Sequence, residues 1–76
     1  MTYADIAASP ALESLRSDAL AWIPQRHCDG DVAYVEVTET LIHDRAARKR
    51  SAKALAKRVT ASLDQAAAEF TAATQE

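Results

Sequence analysis

Four basic residues, Arg45, Lys49, Lys53 and Lys57, follow one another at steps of four, and Arg48, Arg50 and Arg58 stand beside them. On a helix that spacing stacks the four into one ridge, where each like-charged i,i+4 pair costs roughly 0.2–0.5 kcal/mol. Only Arg48 has an acid at helical spacing, Asp44, four residues before it. The chemistry such a ridge can do is anion capture: of a nucleic-acid backbone, of acidic protein surface, or of the chain's own carboxylates. A solvated face without a role is the plain alternative.

Other reactive side chains are sparse. His27 and Cys28 are neighbours, and in an extended segment neighbours point to opposite faces, with no third group to orient a base and nucleophile. One Cys with two His, His27 and His43, lacks the close ligand pairs of a zinc site. A single glycine excludes the glycine-rich phosphate loops. No carboxylate is set among apolar residues as a general acid would be. The sequence thus points away from an enzyme, a metal site or a cofactor.

Charge is segregated along the chain. Residues 1–44 carry −6, residues 45–58 carry +7 and the remainder −3, within a net charge of −2. The acidic first half weakens the case for nucleic acid, and no aromatic residue is interleaved with the bases to stack on nucleobases. A partner protein is therefore the leading expectation, and a small DNA- or RNA-binding regulator using the ridge is the alternative.

Elements to position these groups can be read from spacing. Ser9-Pro10 starts a helix, and Leu12, Leu15, Ala19 and Trp22 or Ile23 recur at three and four until Pro24 stops it, giving a helix over about 10–22. Cys28-Asp29-Gly30-Asp31 reads as a turn, and 32–37 (Val-Ala-Tyr-Val-Glu-Val) is the best strand candidate. A hairpin through Asp29-Gly30 would pair Trp22 with Val37, Pro24 with Val35 and Arg26 with Ala33, placing a strand or hairpin at about 22–38. From about 40 to 74 the alanine-rich chain predicts a second long helix, with Leu41, Ala52, Leu55, Val59, Leu63, Ala66 and Phe70 on one stripe. Ser62-Leu63-Asp64-Gln65 looks like a capping box, so a break near Thr60 to Ser62 is a further expectation.

Two fragments resemble DNA-binding families. Residues 5–10, running into Leu12 and Leu15, resemble a helix-turn-helix core without its turn glycine, and the recognition helix would carry Glu13 and Asp18. Residues 58–64 resemble the strand and helix entry of a ribbon-helix-helix protein, with too little chain after them for its second helix. Each covers under a quarter of the sequence, and neither assigns a family.

The expected architecture is a single small domain over 1–76, mainly α with a small β element, completed by dimerisation. Of 37 hydrophobic residues 18 are alanine, and after His43 only Leu55, Val59, Leu63 and Phe70 are large. A core that thin barely offsets about 1.5 kcal/mol of ordering cost per residue, which is why a homodimer is expected. No apolar run is long enough for a membrane span and the N-terminus lacks a basic signal region, so a cytoplasmic protein is expected. Trp22, Tyr34 and Phe70 are read as core; if Trp22 and Tyr34 stay outside it, they become an aromatic hot spot for a partner. The proposed partner-binding set is Arg45, Lys49, Arg50, Lys53 and Lys57. Small inhibitors and adaptors of phages and mobile elements share this size and plainness, an analogy of kind only. A structural subunit of a larger assembly is the third class.

Overall fold

The computed structural model describes residues 3–27 and 30–74. Among these the protein has five α-helices: α1 (Tyr3–Ala7), α2 (Pro10–Trp22), α3 (Gly30–His43), α4 (Arg45–Lys49) and α5 (Ala52–Thr74), with a 3₁₀ turn at Gln25–His27. The mainly helical class and the bounds of α2 agree with the sequence reading. Pro10 occupies the first turn of α2, and the Ser9 carbonyl accepts from the Glu13 N–H at 2.9 Å, although the Ser9 side chain makes no cap. Pro24 ends the helix and its carbonyl turns the chain, accepting from the His27 N–H at 3.0 Å.

The predicted β element is not formed. Residues 32–37 lie inside α3, so the pairings of Trp22, Pro24 and Arg26 with Val37, Val35 and Ala33 do not occur. Cys28 and Asp29, half of the proposed turn, lie outside the described residues. A lone strand would leave backbone groups unpaired, whereas a helix satisfies them locally. The helical period also buries Ala33, Val37 and Leu41 on one face, at the cost of leaving Val32 and Val35 exposed. Thr38 and Thr40 accommodate the helix by donating their hydroxyls to the carbonyls of Tyr34 and Glu36, each at 2.8 Å.

The single long helix expected over 40–74 is three pieces. Asp44 leaves the helical conformation and its carboxylate accepts from the N–H groups of Ala46 (2.9 Å) and Ala47 (3.2 Å), capping α4. Ser51 starts α5 in the same way, its hydroxyl accepting from Ala54 N–H at 3.3 Å. The break expected near Thr60 to Ser62 is absent: α5 runs without interruption from Ala52 to Thr74, and Ser62 donates instead to Glu36 Oε1 on α3 at 2.8 Å. The segment that resembles a ribbon-helix-helix strand is therefore helical, while the other fragment does enclose a short turn between α1 and α2.

The core lies where α2, α3, α4 and α5 meet, and comprises Ala19, Ile23, Ala33, Val37, Leu41, Ala47, Leu55, Ala56 and Val59. Four of these nine are alanines, so the helices approach closely over a small apolar volume. Leu63 is the last residue of α5 packed against this cluster, and every residue from Asp64 to Thr74 is exposed. About half of a helix roughly 34 Å long therefore projects from the body. No described helix is long and apolar enough to cross a membrane.

Candidate functional site: a tryptophan and lysine groove

The break before α5 decides what becomes of the basic ridge. Arg45 and Lys49 stay on α4, Arg50 falls in the connection, and only Lys53 and Lys57 continue along α5. The four bases therefore do not form one helix face. Asp44 pairs with Arg58 rather than with Arg48, whose buried Nε has no hydrogen-bond partner among the described residues. Two backbone N–H groups aimed at it, that of Ala47 foremost, hold the Asp44 carboxyl below the ordinary carboxylate range; partial burial opposes them and the Arg58 guanidinium adds to them. Of the seven bases in 45–58, Arg58 alone forms an ion pair among the described residues.

Lys53 and Lys57 instead border an open groove of about 270 Å³ whose remaining walls are Trp22, Pro24, Ala56 and Thr60. Trp22, expected in the core, is 58 % exposed at the end of α2, and the Lys53 ammonium stands 5.4 Å from its ring centre. Pro24 turns the chain away before it can cover the ring. In the sequence no aromatic residue is interleaved with the bases; thirty-one positions separate Trp22 from Lys53, and only the packing of α2 on α5 joins them.

A clamp ties the 3₁₀ turn to α5 one helical turn beyond Thr60. Asp64 accepts from Arg26 Nη2 at 3.3 Å and faces His27 Nε2 at 3.1 Å. Arg26 Nε also lies 3.3 Å from that ring nitrogen, which accepts from arginine when unprotonated and donates to Asp64 when protonated. His27 thus ties the turn to α5. Its sequence neighbour Cys28 lies outside the described residues. His43 is far along α3, 3.0 Å from Glu39, and no group of three metal-ligating side chains gathers among the described residues.

Tyr34, the second aromatic of the conditional hot spot, is 45 % exposed but already engaged. The buried Arg16 guanidinium sits 4.9 Å from its ring centre, donates to Thr38 Oγ1 at 3.2 Å and pairs with Glu13. That cluster joins α2 to α3, so Tyr34 does not share the Trp22 groove. Beside it, a void of about 10 Å³ lined mainly by Ile6, Leu12, Leu41 and Ile42 is too small for anything beyond one water. Phe70, the third aromatic read as core, is 71 % exposed on the projecting half of α5. The chain matches no protein-family model, no curated protein and no solved structure.

Proposed function

We propose that this chain is a non-enzymatic interaction protein that holds an acidic, partly apolar segment of a partner protein in the groove between Trp22 and the Lys53–Lys57 edge of α5. The observation that carries the reading is an exposed indole beside two ammonium groups that have no ion-pair partner among the described residues. Tryptophan offers a large, stiff contact area and is over-represented among residues that dominate binding energy. The lysines select a carboxylate-bearing occupant and accelerate its arrival, an effect screened over about 8 Å at physiological salt. Arg45, Lys49 and Arg50 do not line the groove and are expected to steer rather than grip. An inhibitor or adaptor would act through such a surface without chemistry of its own.

Nucleic acid is the second reading, and the same juxtaposition favours it, since a base can stack on Trp22 while the lysines meet phosphate. The acidic surplus of the first 44 residues ranks it below protein.

Trp22 is the sole tryptophan, so its fluorescence reports on the groove directly. A helical peptide alternating Glu with Leu and Phe should shift and saturate the emission, and Lys53→Glu with Lys57→Glu should weaken that binding about tenfold or more while leaving helix content unchanged. If oligo(dT) binds more tightly than the peptide and loses affinity steeply with salt, or if neither ligand alters the emission, the protein-partner reading fails.

A further inference from the structure

Lys53 and Lys57 stand one helical turn apart on α5 and both border the groove, yet they have different neighbours. The Lys53 ammonium lies over the Trp22 ring, 5.4 Å from its centre, inside the roughly 6 Å within which an indole face attracts a cation. Lys57 makes no ring contact among the described residues. Neither lysine has an ion pair there, and no acid is among the groove's lining residues. Two carboxylates that reach α5 are already committed, Asp44 to Arg58 and Asp64 to Arg26 and His27.

An indole face carries the negative side of the ring quadrupole, so in the ligand-free protein it is held by the ammonium. A neutral apolar side chain that stacks on that face must first displace Lys53, and it leaves the ammonium only water in exchange. A carboxylate on the same ligand gives the ammonium a partner instead. Acid and apolar contacts are thereby linked: the acid draws Lys53 off the ring, and the ring then accepts the apolar side chain. Lys53 is exposed and its charge rides on a flexible four-carbon stem, so the move needs no change in α5. Lys57 covers nothing and contributes attraction alone.

We infer that Lys53 is the specificity-determining residue of the groove, a cationic cover on Trp22 that disfavours neutral apolar segments and opens to acidic ones, whereas Lys57 is a plain anchor. The inference rests on the groove's being a binding site for an acidic, partly apolar segment, as read above, and adds how the two halves of that chemistry are coupled. Two lysines of equal charge divide recognition between them, because only one of them can reach the indole face.

The test follows Trp22 emission with the peptide of Glu, Leu and Phe and with a second peptide that has Gln in place of each Glu. Lys53→Gln should tighten the Gln peptide about threefold, the size of an exposed cation–π contact. It should weaken the Glu peptide less than Lys57→Gln does, because uncovering the ring offsets part of the lost attraction. Lys57→Gln should weaken the Glu peptide about threefold and leave the Gln peptide unchanged. Lys53→Arg keeps a cation for the ring and should match wild type toward the Gln peptide. Without ligand, acrylamide should quench Trp22 more readily in Lys53→Gln than in wild type or Lys57→Gln. Glutamine suits an exposed helical position, so helix content should be the same throughout. The cover is overturned if Lys53→Gln binds the Gln peptide no more tightly, if Lys57→Gln tightens it equally, or if quenching does not change. In any of those cases, binding of the Glu peptide to wild type keeps the groove's role standing; binding of neither peptide to any of these proteins removes both.

Discussion

At the scale of single residues, Asp44 shows how one carboxylate can shape a fold. It caps α4 through two backbone N–H groups and pairs with Arg58 on α5, so it ends one helix, begins another and ties down a third. Because its folded-state pKa is depressed, the stabilisation is fully present above the ordinary carboxylate value of about 4 and is lost as pH falls through the folded value. Asp44→Asn should keep much of the cap but lose the charge. We expect wild type to be the more stable at pH 7 and its advantage to vanish toward pH 2, as read from urea midpoints; parallel pH profiles would exclude the role. Arg16 illustrates the opposite economy. It is buried, yet its Nε has no partner among the described residues, so its contribution comes from Glu13, Tyr34, Thr38 and the packing of its stem.

At the scale of elements, α3 is the informative case. Its β-branched residues favour a strand, and each costs a helix some tenths of a kcal/mol. Burial of Ala33, Val37 and Leu41 against α2 and α5 outweighs that bias. Gly30 opens α3 with no positive φ, and a Cβ placed there would meet nothing within 4 Å. Gly30→Ala should therefore stabilise the protein, by about 0.5 kcal/mol, chiefly by restricting the unfolded chain. Denaturant unfolding measures this, and a loss of stability would mean that residue 30 needs glycine for a reason other than space. The three-piece division of 40–74 follows from two side-chain caps, Asp44 and Ser51. Asp and Ser are both residue types that cap helices, but the alanine-rich, glycine-free composition around these two reads as one continuous helix. Ser62 had the better local pattern and is not used, because α5 packs through it and its hydroxyl finds Glu36.

For the whole molecule, the contrast between Leu55 and Phe70 separates the packed body from the projecting half of α5. Leu55 is fully buried at the centre of the core, and Leu55→Ala should cost about 2–5 kcal/mol, a large share of the stability of so small a domain. Phe70 touches none of that core, so Phe70→Ala should change monomer stability by less than about 0.5 kcal/mol. Thermal melts at a concentration low enough to keep both variants monomeric would show the difference. Equal destabilisation would mean that the arm folds back on the body.

Much of the helical framework was legible in the residues themselves: Ser9-Pro10 and Pro24 bound α2, and alanine-rich, glycine-free sequence makes α5, because capping and propensity act over a few neighbouring positions. Local bias also misled where it met a tertiary demand, since β-branched spacing in 32–37 has no strand to pair with among the described residues and a helical face to fill. The site depended on that tertiary level entirely. No spacing in the sequence relates Trp22 to Lys53 and Lys57, or splits Arg45 and Lys49 from them. Those relations arise only when α2 packs along α5 and a single capped turn displaces half of the basic ridge.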